Sequence, residues 1–97
     1  MPNLTERVKA INDLVLECDT KIRNKLVGKG RKKEAPQALE DFLRESWNQA
    51  EKYYQQEYQD IGRYKLIEQQ RYDEYLDLAE KGIKTAYQII LERYELI

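Results

Sequence analysis

Apolar side chains recur at steps of three and four along most of this chain, the spacing that puts residues on one face of an α-helix. Leu4, Val8, Ile11, Val15, Cys18, Ile22 and Leu26 form the first such stripe, and Leu14 and Leu16 broaden it. Asn3, followed three residues later by Glu6, has the spacing of a capping box, where each side chain satisfies a backbone N–H at the helix start. Gly28 and Gly30 supply the permissive backbone that ends helices. The pattern predicts a first helix over about 4–27.

A loop over 28–35 (GKGRKKEA) follows, and Pro36 fits a first helical turn, where its missing N–H costs nothing. Leu39, Leu43, Ser46 or Trp47, Ala50, Tyr54, Tyr58 and Ile61 carry a second stripe, with Phe42 alongside, and predict a helix over about 36–60. Tyr72, Leu76, Ala79, Ile83, Ala86 or Tyr87, Ile90 and Tyr94 predict a third over about 63–95. Asp60, Ile61 and Gly62 read as a helix stop between them, with the glycine left-handed. Ile61 and Tyr72 are nearly three whole turns apart, so one long kinked helix would also keep the stripes in phase. The polar seam positions Lys65 and Glu68 favour a hinge at Gly62. The expected fold is all-α, one domain over 1–97: a first helix, a basic loop, and two long helices as an antiparallel hairpin. Gly82, inside the third helix, costs up to ~1 kcal/mol relative to alanine, which close approach of a neighbouring helix would explain.

Composition adds a constraint on burial. The chain is 36% charged and 41% apolar over 97 residues, too polar to enclose a large interior. Helix faces must therefore be wet or covered by a second subunit, and a homo-oligomer, most simply a two-fold dimer, is expected. A single cysteine excludes an internal disulfide and suits a reducing compartment. No apolar run approaches the roughly 18–20 residues that span a bilayer, and MPNLTERVK does not read as a signal peptide. The expectation is a cytoplasmic protein with no membrane partner.

Charge is unevenly placed. Residues 1–33 hold nine cations against four acids, a net +5; residues 34–97 hold eight against fourteen, a net −6. Lys21, Arg23, Lys25, Lys29, Arg31, Lys32 and Lys33 fall in one acid-free stretch, KIRNKLVGKGRKK. Cations beside a glycine-rich turn suit phosphate contacts, so this segment is the candidate site for nucleic acid or another anion, without sequence reading. It is not a nucleotide-binding P-loop, which needs G-x-x-x-x-G-K-S/T after a strand. The competing readings are a solvated loop and a site for an acidic protein partner.

Eight tyrosines, against one Phe and one Trp, all lie in the later two thirds of the chain. Their apolar rings and polar tips suit core edges and interfaces. Base stacking is disfavoured, because Glu51, Glu57, Asp73, Glu74 and Asp77 lie among them and repel a phosphate backbone. Phe42, Trp47, Tyr53, Tyr54 and Tyr58 are the candidate partner-binding residues, with Trp47 as anchor or half-buried core residue.

Catalytic chemistry has little to work with. There is no histidine, so the commonest general base and metal ligand are missing. Cys18 sits on an apolar stripe and reads as a small core hydrophobe. Asp73, Asp77 and Glu80, with Asp60 or Glu68, could suggest an acid pair or metal face. However, Asp77–Lys81 and Glu80–Lys84 have the spacing of surface ion pairs, and the Glu-x-x-His motif of helical di-metal sites is absent. No metal and no cofactor are expected. The expectation is a non-enzymatic interaction protein, an adaptor, regulator or inhibitor. Nucleic-acid binding through the basic segment is the alternative, and a small anionic ligand such as a nucleotide, held between subunits, is a third reading.

Overall fold

The Glu6 N–H donates to Asn3 Oδ1 at 2.9 Å and the Asn3 N–H donates back to the Glu6 carboxylate at 3.3 Å, completing the capping box. In a computed structural model of the chain, which describes residues 3–58 and 69–97, this box opens helix α1 (Leu4–Gly28). Gly30, at φ 70°, ends it: the Arg31 N–H reaches the Leu26 carbonyl at 2.8 Å and the Gly30 N–H the Val27 carbonyl at 3.0 Å. That pair of bonds is a Schellman motif, which needs a left-handed residue and so favours glycine. A single 3₁₀ turn (Lys32–Glu34) leads into α2 (Ala35–Tyr58), with Pro36 in its first turn, and α3 is Gln69–Arg93. Helix thus starts within the expected loop of 28–35.

The second and third helices pack side by side and antiparallel. Asp41 and Glu45 near the start of α2 meet Tyr94 and Arg93 at the end of α3, Ala50 meets Gly82, and Tyr54 meets Tyr75. The long helices therefore form a hairpin and not one continuous kinked rod. The expected hinge at Gly62, with Asp60, Ile61, Lys65 and Glu68, lies outside the described residues.

The core gathers where all three helices meet: Cys18, Ile22 and Leu26 of α1, Ala38 and Phe42 of α2, Ile83, Ala86, Ile90 and Leu91 of α3, and Leu96 beyond it. Only the later half of the α1 stripe is enclosed; Leu4 and Val8 are more than a third exposed. Leu14 is half-buried and does widen the stripe, whereas Leu16 is 62% exposed and does not. The hundred-degree step between successive residues explains this, since Leu16 sits well off the line of Val15 and Cys18.

On α2 the expected stripe is buried at Ser46 and Ala50 but not at Leu43, and the enclosed side chains continue through Ala38 and Phe42. Ala50 faces Gly82 across the interface. A Cβ built at Gly82 would fall 2.6 Å from the Ala50 backbone nitrogen and 2.9 Å from its Cα. The two backbones touch there, so the residues at the crossing must be small; leucine in place of Ala50 would hold the helices apart. Ser46 satisfies its buried hydroxyl by donating to the Phe42 carbonyl at 2.8 Å. On α3, Leu76, Ile83, Ala86 and Ile90 are buried as the stripe predicts, while Tyr72 is exposed. Among the described residues no helix is long and apolar enough to cross a membrane.

Gly82 gives the first test. Alanine should gain up to ~1 kcal/mol in helix propensity, yet its Cβ has no room against the Ala50 backbone, and overpacking costs about 1–3 kcal/mol. Gly82→Ala is expected to destabilise in urea titration. Gly28→Ala, whose Cβ would meet nothing within 4 Å, should be neutral or stabilising. A stabilised Gly82→Ala protein would contradict the close approach.

Candidate interaction surface

Two helix C-termini, those of α1 and α3, lie side by side, each the negative end of a helix dipole. The α3 end repeats the Schellman pattern: Glu95 is at φ 55°, and the Leu96 N–H donates to the Leu91 carbonyl at 2.7 Å. Leu96 and Leu91 are both buried, which supplies the apolar contact that accompanies this motif. Cations from the basic segment satisfy the carbonyls left over. The Lys29 ammonium donates to the Glu95 carbonyl, and Arg31 donates to the Tyr94 carbonyl at 2.6 Å while its other nitrogens hold the Glu34 carboxylate. The same pairing raises the Arg31 pKa and lowers that of Glu34.

The seven cations predicted to form one anion site are thus divided. Lys29 and Arg31 tie the helix ends together. Lys21 pairs with Glu17 at 2.9 Å, which raises the Lys21 pKa, and Arg23 pairs with Asp19 at 2.8 Å. Lys25, Lys32 and Lys33 are exposed, with no ion pair among the described residues. The acids that neutralise Lys21 and Arg23 lie one turn back in α1, a relation visible only once the helix is drawn through the stretch.

Beside this junction, the Tyr94 hydroxyl donates to Asp41 at 2.5 Å, and Gln37 donates to the same carboxylate at 2.8 Å. Those two hydrogen bonds hold the Asp41 pKa below its ordinary value. Burial, and then the Asp41 carboxylate, push the Tyr94 phenol up to about 12. Arg93 adds a bond to Glu45 at 3.2 Å. This polar cluster fastens the start of α2 to the end of α3.

The five predicted partner-binding residues also separate. Phe42 is fully buried in the three-helix core, so it packs the fold and presents nothing outward. Tyr53 is half-buried against α3. Thr85 gives its proton to the Lys81 carbonyl at 2.9 Å, so the Tyr53 hydroxyl donates to Thr85 Oγ1 at 3.0 Å, with the Lys81 ammonium 4.3 Å above its ring. Tyr54 is half-buried and meets Tyr75 edge to face, ring centroids 5.9 Å apart. The side chain of Tyr58 lies outside the described residues. Trp47 is 66% exposed.

Leu43, at 57% exposed, was expected on the core stripe and instead stands one turn before Trp47 on the outer face. Together they form an apolar strip on α2, with half-buried Leu39 a turn earlier and Tyr54 two turns later. The strip is bordered on its solvent side by Glu40, Arg44 and Glu51, and Arg44 bonds Glu40 at 2.9 Å. Ala50 packs against Gly82, while Leu43 and Trp47, at the edge of the buried face, stay exposed. Spacing alone does not mark Leu43 as exposed, because it lies one heptad before the buried Ala50.

The remaining candidates are structural. Asp77 and Asp73 are taken up across helices by Arg7, and Glu80 pairs with Lys84 at 3.4 Å. Arg7, Ala10, Ile11, Asp77 and Glu80 line a shallow groove between α1 and α3. Among the described residues no group of three His, Cys, Asp or Glu side chains is placed to hold a metal ion. Cys18 is buried, and burial raises its pKa away from the reactive thiolate. No known protein family, curated protein or solved structure matches this chain.

The Asp41–Tyr94 contact makes stability depend on pH at both extremes. Tyr94 has a raised folded pKa, so its contribution is complete below about pH 10 and is lost as pH rises through about 12. Asp41 has a depressed one, so its contribution is present above about pH 4 and is lost as pH falls through its folded pKa. Urea titrations of Tyr94→Phe across pH should show a loss of about 1–2 kcal/mol at pH 7 and a shallower alkaline decline than the parent. Equal alkaline slopes in the two proteins would contradict the contact.

Proposed function

We propose that this protein is a non-enzymatic interaction module whose outward face of α2 docks on another protein surface. The observation that supports this reading is the paired exposure of Leu43 and Trp47 one helical turn apart. Tryptophan is the residue type that most often dominates binding energy, and a leucine one turn away gives it an adjoining apolar surface. The face is held in place, because the same helix packs on α3 at Ala50 and carries Phe42 into the three-helix core. Rigid presentation lowers the conformational entropy lost on binding. An adaptor, regulator or inhibitor needs nothing more.

The readings through the basic segment have less to draw on. Four of its seven cations are engaged within the fold, which leaves Lys25, Lys32 and Lys33 for a phosphate backbone or a small anion. Binding to labelled nucleic acid that weakens steeply with salt and disappears in a Lys25→Ala, Lys32→Ala, Lys33→Ala variant would restore the nucleic-acid reading and displace the present one.

The direct test is Trp47→Ala. An exposed side chain can be removed with a stability change within about 0.5 kcal/mol, so circular dichroism and urea midpoint should stay near those of the parent. Affinity capture from the source cells should recover a partner with the parent protein and lose it with the variant. Unfolding of Trp47→Ala, or capture unaffected by it, would overturn the reading.

A further inference from the structure

We infer that the surface docked on the Leu43–Trp47 face is the same face of a second copy of this chain, with the two α2 helices crossing antiparallel about a two-fold axis between Trp47 and Asn48. The inference rests on the interaction reading above and names its partner. Charge along the edge of the strip is what selects it. Glu40, Arg44 and Glu51 succeed one another on the exposed border of α2, negative, positive, negative. In a parallel pairing each would lie beside its own copy, like charge on like. In an antiparallel pairing about Trp47 and Asn48, Arg44 of each protomer lies opposite Glu51 of the other, and Glu40 lies opposite the neutral Gln55. Sliding the pair by one turn sets Glu40 against Glu51, so the sequence disfavours that register.

The apolar groups agree with this alignment. The two Trp47 rings meet at the axis, where each can cover part of the other. A two-fold contact is self-complementary by construction, so every such pair occurs twice. Arg44 now pairs with Glu40 within its own helix at an exposed site, an arrangement that exchanges readily for an intermolecular one. The strip is narrow, with two large exposed side chains per copy, so the association belongs to the weak class, with a dissociation constant on the order of 10–100 µM.

The test is charge exchange read by sedimentation equilibrium on the full chain. Arg44→Glu places glutamate opposite Glu51, and Glu51→Arg places arginine opposite Arg44; each alone should weaken dimerisation by roughly tenfold or more, two unfavourable contacts at about 0.5–1 kcal/mol each. An equimolar mixture of the two variants should associate as a heterodimer near parental affinity, and the double variant should recover likewise. Loss in the single variants without rescue in the mixture would overturn the antiparallel register, because repair of the Glu40–Arg44 pair cannot produce rescue in trans. A parent chain that stays monomeric at several hundred micromolar would overturn self-pairing altogether. In that case, Trp47-dependent capture of another protein would leave the interaction reading standing, and its absence would remove both.

Discussion

The contact of the α2 backbone at Ala50 with Gly82 of α3 constrains the rest of this structure. Hydrophobic burial alone would let α2 roll about its axis, since leucines at 39 and 43 offer more apolar area than alanines at 38 and 50. A backbone contact limits that freedom, because only a small side chain fits at position 50, where the helices cross. Ala38, Phe42, Ser46 and Ala50 face inward, and Leu43 and Trp47 stand exposed at the edge of that buried face. The fold thereby trades apolar burial for close packing at the crossing and leaves an apolar strip exposed beside it.

The second organising feature is electrostatic. Packing α1 and α3 side by side and parallel sets their two negative dipole ends together, with free carbonyls at each. Lys29 and Arg31 reach from the first helix end to the carbonyls of the second, and the Schellman bonds take up others. Two of the seven cations in the basic stretch thus serve to let the two helix ends coexist. The Asp41–Tyr94 bond beside it belongs to the same junction and fixes the register of α2 against α3.

Much of this fold is legible in the sequence for reasons that are local. The capping box at Asn3 and Glu6, the left-handed Gly30 and the three helical stripes depend on residues within a few turns of one another, so spacing alone reveals them. Gly82 also pointed to a close neighbour. What spacing could not supply was the identity of that neighbour, and so how far α2 is turned: Phe42 and Leu43 are a hundred degrees apart, and each continues a helical stripe. Which of them is enclosed depends on α1 and α3, whose residues are distant in sequence. For the same reason the sequence does not distinguish Phe42, which is core, from the exposed aromatics, nor Leu43, which stands beside Trp47, from the core leucines. The roles of Lys29 and Arg31 are illegible for a related reason, since their partners at Glu95 and Tyr94 are distant in sequence and are carbonyls, which no residue pattern marks.

Trp47 is the chain's one tryptophan, so its fluorescence reports on the α2 face without labelling. The most direct measurement is its quenching by acrylamide across a protein concentration series. The account predicts an accessible, readily quenched ring in the dilute chain. That ring should become protected, with emission shifting to shorter wavelength, as concentration rises and the face is covered. Equal quenching and unchanged emission at every concentration would contradict it.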